Sequence, residues 1–227
     1  MNYSEFPKVV IFDFDGTVAD TMPSLAALAM ATLASVRLSA VRDSVTHDVG
    51  LQALSDWYWE TSGLPFSEQL ETVPLHLATS MKDRLAFVFE AIKARLMSEG
   101  KFDCTPGFRA FFTEVTYHAR TAVVSSSSKT YLQTFIDRHW PMSVSVFDWV
   151  GGIESGAKAD QIAKAVARFC HAPEDALFIG DSLNDYRMAV RLGVRFRGYA
   201  PADRPSPFPP DVSVITAWSA RLIDAFV

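Results

Sequence analysis

Val9-Val10-Ile11-Phe12-Asp13-Phe14-Asp15-Gly16-Thr17 is the stretch from which the rest of the chain can be read. Its first four residues are apolar and mostly β-branched or aromatic. With no polar residue alternating among them, they read as a strand buried on both faces. Two carboxylates one residue apart stand at the end of that strand. One could attack an electrophile while the other moves a proton. Gly16 allows a sharp turn and close backbone approach, and the Thr17 hydroxyl could bond locally or reach an anion. Taken alone, Asp-x-Asp-Gly is better explained by an Asx-turn or a helix cap.

Downstream of this strand, residues 21–98 change character. They are rich in Ala, Leu and Met, and Pro65 and Pro74 break them into several helices. Leu85, Phe89, Ile92 and Leu96 recur at helical spacing, which predicts an amphipathic helix over 81–98 with those four side chains inward. Beyond Thr105-Pro106-Gly107 helix and strand alternate. Helices are expected over 107–118, 129–138, 158–170 and 183–192, with a last one at the end of the chain. Strands are expected over 121–124, 144–150, 176–179, 194–199 and 212–215. Such alternation predicts an α/β fold with a parallel sheet covered by helices on both faces. The ligand site of such a sheet lies beyond the carboxyl ends of its strands.

Three further polar groups fall at such positions. Ser125-Ser126-Ser127-Ser128-Lys129 follows the second strand, where hydroxyls and backbone N–H groups can hold an anion. A serine-rich helix cap is the plainer explanation of that run. Lys158 begins a helix, where its charge opposes the helix dipole unless it reaches into an acidic pocket. Gly180-Asp181-Ser182-Leu183-Asn184-Asp185 follows another strand and offers two carboxylates, the donors that a hard divalent cation takes.

The 227 residues suffice for one domain with a large insertion or for two small domains. Hydrophobic residues make up 49% and charged residues 21%, with a formal charge of −5, which is ordinary globular composition. With no Lys/Arg-rich run, neither nucleic acid nor an anionic membrane is an expected partner. Cys104 and Cys170 form neither a metal-type pair nor a disulfide framework. The first residues carry no basic, then apolar leader, and no apolar run approaches membrane-spanning length. A cytoplasmic protein is the expectation, of undetermined oligomeric state.

Each of these pieces is common, but their order is not. Asp-x-Asp-Gly-Thr, a strand-end Ser, a Lys and Gly-Asp-Ser-x-Asn-Asp occur in the sequence of the four motifs of the haloacid dehalogenase (HAD) superfamily, and the chain resembles that superfamily over essentially its whole length. Its general cast is similar to the phosphoglycolate phosphatase-like branch. The resemblance implies a Rossmann-like core over residues 1–19 and 105–227, and an α-helical cap over 20–104 inserted after the first strand.

It also implies roles. Asp13 would be the nucleophile that forms an aspartyl-phosphate, and Asp15 the acid and then the base. Magnesium would be held by Asp13, the Asp15 carbonyl and Asp181, with Asp185 in support. Ser126 and the N–H of Ser127 would hold the phosphate, with Thr17 as a further contact, and Lys158 would steady Asp13 and the phosphoryl oxygens. Ser125 is the alternative to Ser126, and counting back from Lys129 favours Ser126. Asp15 is expected to carry a proton at neutral pH, its pKa raised by burial or neighbouring acids.

Similar dehalogenases and phosphonatases lack an acid at the position of Asp15, so hydrolysis of a small phosphomonoester is implied. A phosphomutase of the β-phosphoglucomutase type and a non-catalytic binding protein are the alternatives. Trp57, Tyr58, Trp59, Lys82 and Arg84 are candidates for the cap face, with at least one tryptophan expected in the cap's own core.

Overall fold

The computed structural model describes residues 6–40, 50–141 and 146–226. Strand β1 (Val9–Asp13) is central in a six-stranded sheet. Its partners are β2 (Arg120–Val124), β3 (Trp149–Gly151), β4 (Ala176–Gly180), β5 (Arg195–Tyr199) and β6 (Val214–Ile215), in the order β3-β2-β1-β4-β5-β6. All pairings are parallel, as the strand–helix alternation predicts. The expected strand over 144–150 is shorter and begins at Trp149; residues 144 and 145 lie outside the described residues. The expected last helix is a 3-10 turn over Ala220–Phe226.

Because β1 is buried throughout, its period of two divides its side chains between two apolar layers. Val10 and Phe12 join the layer that contains Phe108, Phe111 and Phe112 of α5 (Phe108–His118). In the fold's helical numbering, α1 (Met22–Ala40), α2 (Leu51–Thr61), α3 (Phe66–Gln69) and α4 (Thr79–Ser98) precede α5. Helix α6 (Lys129–His139) packs in the same layer, through Leu132 and Phe135. Val9 and Ile11 face the opposite layer. There they meet Ile162 and Ala165 of α7 (Lys158–Phe169) and Ala189 of α8 (Leu183–Leu192). Asp13 continues the parity of Val9 and Ile11, so its carboxylate points toward the side on which α7 begins.

Helices α1 to α4 all lie between β1 and α5. Their buried residues, including Leu54, Trp57, Phe66 and Phe89, are continuous with the layer of Phe12. Phe66 and Phe89 stack at 4.0 Å and join α3 to α4. The inward face of α4 differs from the pattern read from the sequence. Leu85 and Phe89 are buried as expected, but Ile92 is exposed and Leu96 only half-buried. Lys93 and Met97 complete the buried line instead, at strict four-residue spacing. The helix is rotated so that a lysine, not an isoleucine, faces the strand ends. Among the described residues, no helix is long and apolar enough to cross a membrane.

Candidate active site

The register of the sheet brings the strand ends together. Asp13 pairs with Val124, and Phe12 pairs with Ile179. The residues just beyond, Ser125 and Asp181, therefore flank the end of β1. Gly16 turns the chain after β1 with φ +85°, and a Cβ there would collide with the Asp181 carboxylate. Gly180 has the same significance for β4, since its added Cβ would lie 2.7 Å from the Asp185 side chain. Both glycines allow the two acidic loops to close on one point.

Asp13, Asp181 and Asp185 each offer a carboxylate oxygen, and these oxygens lie within 4.8 Å of one another. Lys158, the first residue of α7, places its Nζ 2.6 Å from Asp13 Oδ1 and 2.9 Å from Asp185 Oδ1. All of Lys158, Asp13 and Asp185 are buried. Asp185 is fixed further by the cap of α8. Its Oδ2 accepts from the Ser182 backbone N–H and hydroxyl, while the Ser182 Oγ accepts from the Asp185 N–H.

Three acids around one ammonium leave an excess of negative charge. Burial first, then Asp185 and Asp15, push the Asp13 carboxyl up to about 7 against the pull of Lys158. Burial and the charges of Asp13 and Asp185 likewise hold Asp181 well above the carboxylate range. Burial alone would depress Lys158, but Asp13 and Asp185 hold its ammonium above the usual lysine value. A buried, oxygen-only donor set with surplus negative charge fits a hard divalent cation.

Asp15 sits in a different environment. Its Oδ1 accepts from Thr21 Oγ1 at 3.0 Å and from the Tyr131 hydroxyl at 3.1 Å. Its Oδ2 accepts from Ser127 Oγ at 2.9 Å and from Lys93 Nζ at 3.1 Å. Burial would raise this carboxyl, but Lys93 and the hydroxyls outweigh it and hold it below its usual value. The expected upward shift of Asp15 is thus reversed. The cause is Lys93, which comes from α4, far away in the chain, and is invisible in the neighbourhood of the motif.

The four serines have four separate engagements. Ser125 Oγ accepts from the Ser127 N–H at 3.0 Å. Ser126 Oγ donates to the Gly63 carbonyl at 2.8 Å. Ser127 Oγ joins Asp15 and Lys93. Ser128 caps α6 by accepting from the Tyr131 N–H. The expected phosphate donors, Ser126 and the Ser127 N–H, are therefore both engaged within the protein here. Thr17 is fully buried, its hydroxyl meets no partner among the described residues, and it does not line the cavity at the site.

That cavity, of about 50 Å³, is lined by Asp13, Asp15, Tyr58, Glu90, Lys93 and Lys158 among others. The segment Ser62–Pro65 lies along it, with Gln69 Nε2 donating to the Leu64 carbonyl at 2.9 Å and two further ties from beyond the strand ends. Ser126 Oγ holds the Gly63 carbonyl, and Asn184 Nδ2 holds the Ser62 carbonyl at 2.7 Å. Of the aromatic cluster, Trp57 is buried and donates to Thr72 Oγ1, Tyr58 is buried at the cavity, and Trp59 is exposed. Lys82 pairs with Glu71, and Arg84 is exposed away from the cavity.

Besides Lys93, three participants went unread in the sequence. Tyr131 and Thr21 both donate to Asp15. Gln161 is fully buried and holds the Ser125 loop through both its amide atoms. A lysine interrupting the apolar line Leu85, Phe89, Met97 was the one signal that could have revealed Lys93.

Solved structures of other proteins share this fold. A candidate phosphoglycolate phosphatase from Lactobacillus plantarum superposes with a TM-score of 0.72 at 18% identity, covering 98% of this chain and 100% of that one. CbbY from Rhodobacter sphaeroides, solved in complex with phosphate, gives a TM-score of 0.64 at 20% identity, covering 95% of this chain and 96% of its own. A point mutant of CbbY has also been solved with xylulose-1,5-bisphosphate, with a TM-score of 0.62 at 20% identity and the same coverage of 95% and 96%. These likenesses show a shared fold. No curated protein sequence matches the chain. The profile of the haloacid dehalogenase-like hydrolases matches residues 10–199, which include every strand-end acid of the site as well as Lys93 and Lys158, and the chain belongs to that family.

Proposed function

We propose that this hydrolase is a Mg²⁺-dependent phosphomonoesterase that acts on a small phosphorylated metabolite through an aspartyl-phosphate on Asp13. The observation that carries this reading is the buried group of Asp13, Asp181 and Asp185 around Lys158, with Asp15 held separately and lining one cavity with Asp13 and Lys158. The phosphatase names of the structural neighbours support it.

Residues 20–104 act as a cap over the core formed by 1–19 and 105–227. Asp13 and Asp181, with Asp185 in support and the Asp15 carbonyl, would hold Mg²⁺. When bound, it supplies positive charge that offsets repulsion between the Asp13 carboxylate and the phosphate. Lys158 adds a second, permanent cation at Asp13.

In the first step an Asp13 carboxylate oxygen attacks phosphorus, and the bond from phosphorus to the ester oxygen breaks. The leaving oxygen takes a proton from Asp15. In the second step water attacks phosphorus and gives its proton to Asp15, the bond to Asp13 breaks, and inorganic phosphate leaves. The ionised form of Asp15, which Lys93 and the hydroxyls favour, is the form required for the second step. Substrate charge entering beside Asp15, and drawing Lys93 toward itself, would favour the protonated form required for the first. Ser126 and the Ser127 N–H become phosphate donors once the ties to Gly63 and Ser125 are exchanged for the ligand.

Turnover of p-nitrophenyl phosphate with Mg²⁺ tests the reading, with inorganic phosphate measured as product. Full turnover by Asp13→Asn would defeat the covalent route, and full turnover in EDTA would defeat the role of the metal. A panel of sugar phosphates, phosphoglycolate, nucleotides and phosphoamino acids then identifies the substrate.

A further inference from the structure

A second cavity, of about 340 Å³, has Asp181 in its lining. One wall is Trp59 and Ser62, at the end of α2. The other is the segment after β5, with Tyr199, Pro201, Arg204 and Pro205. Ser62 lines both cavities, whereas Asp15 lines only the first.

The walls carry the marks of a recognition site. Trp59 is 39% exposed, while its neighbours Trp57 and Tyr58 are 6% and 3% exposed. A large aromatic face is thus turned out of the insertion's interior and into this space. Opposite it, Tyr199 is buried and stacked on Trp218 at 4.6 Å, so that wall is rigid. Arg204 is half-buried and makes no ion pair or side-chain hydrogen bond among the described residues. An unpaired guanidinium beside flat apolar surfaces suits a planar organic acid, with a forked hydrogen bond at one end and stacking along the body. The volume lies in the range of small-molecule sites. Asp181, which also lines the cavity, disfavours a second negative charge.

We propose that this cavity binds a small amphipathic monoanion, with its flat apolar body against Trp59 and the prolines and its acidic group on Arg204. It is not the leaving-group site, because Asp15, which must reach the leaving oxygen, faces the other cavity. Its two walls come from segments far apart in the chain, and Ser62 is held in place by Asn184. A ligand that needs both walls binds this closed arrangement better than one in which Trp59 and Ser62 have moved away, so its occupancy opposes opening.

Binding of anilinonaphthalene sulfonate to the full chain, followed by fluorescence, tests the proposal, with neutral phenylnaphthylamine as the same ring system without the acid. One saturable site is expected, with the neutral compound about tenfold weaker, as expected for loss of a charge-assisted hydrogen bond. Arg204→Gln should weaken the sulfonate about tenfold and leave the neutral compound unchanged, and Trp59→Leu should weaken both. Arg187→Gln, in a separate surface groove, should change neither. Inorganic phosphate should not displace the probe. Equal affinity for the two compounds, displacement by phosphate, insensitivity to Arg204→Gln, or absence of saturable binding would each overturn the proposal. The comparison of the two probes uses the unaltered chain and so stands even if a variant misfolds. None of these readouts depends on phosphatase turnover.

Discussion

Lys93 Nζ lies 3.1 Å from Asp15 Oδ2, joining the C-terminal half of helix α4 to the loop after β1 across 78 residues of chain. The same ammonium is 2.6 Å from Ser127 Oγ and 4.8 Å from the Tyr131 ring centre. Lys93 therefore ties the helical insertion, the β1 loop and the serine run into one polar cluster. Wherever α4 moves, the charge that fixes Asp15 moves with it.

Replacing Lys93 by Met should lower kcat roughly 10- to 100-fold, the scale of a misplaced or mischarged reacting group. Lys93→Arg should restore part of it, since charge returns without the same reach. Steady-state kinetics on p-nitrophenyl phosphate decides this. Unchanged kcat in Lys93→Met would show that Asp15 does not depend on this lysine.

Lys158→Met removes the one ammonium shared by Asp13 and Asp185, both buried. Leaving buried charges unpaired destabilises by about 3–5 kcal/mol. The urea midpoint should fall accordingly in metal-free buffer, and added Mg²⁺ should restore part of the loss. A midpoint within error of the unaltered chain would contradict the buried pairing.

The pH dependence of stability has a definite sign. Asp13 rises from an ordinary carboxylate value to about 7 in the folded chain, so between about pH 4 and 7 the folded state binds more protons than the unfolded state. Asp181 acts in the same direction. In EDTA, stability should therefore fall as pH rises through this window, by on the order of a few kcal/mol. Asp15 has the opposite shift, and its contribution is lost only in acid, as pH falls below the ordinary carboxylate value. Lys158 is charged throughout and does not contribute there. Mg²⁺ should abolish the decline. Melting curves from pH 4.5 to 8, with EDTA and with Mg²⁺, measure it; a flat profile in EDTA would refute the surplus of negative charge.

Gly16→Ala should weaken Mg²⁺ binding at least about tenfold, because its φ of +85° disfavours a side chain and its Cβ would strike the Asp181 carboxylate. Titration of activity against Mg²⁺ concentration reads this as a rightward shift of the midpoint.

Asn184→Ala releases the Ser62 carbonyl, one of the ties on the segment beside the cavity. Faster backbone hydrogen exchange over residues 62–65 is expected, with little change over β1 and β4. Equal protection in the variant would show that packing, not this bond, holds the segment.

The sheet, its parallel sense and the acidic strand ends were legible in the sequence because they rest on local causes. A β-branched run makes β1 a buried strand, alternation with amphipathic helices makes the sheet parallel, and the glycine at position 16 marks where a loop turns close to a neighbour. Asp13, Asp181, Asp185 and Lys158 follow from those elements, and the structure brings all four together. What tertiary structure alone decided is the rotation of α4 and what it delivers. Apolar spacing favoured Ile92 as an inward residue, but a helix that closes over a carboxylate is oriented by charge as well as by apolar area, and so Lys93 is buried in place of Ile92. The state of Asp15 depends on that distant lysine. A pKa is set by whatever lies within a few ångströms in space, whereas periodicity reports only what lies within a few residues along the chain.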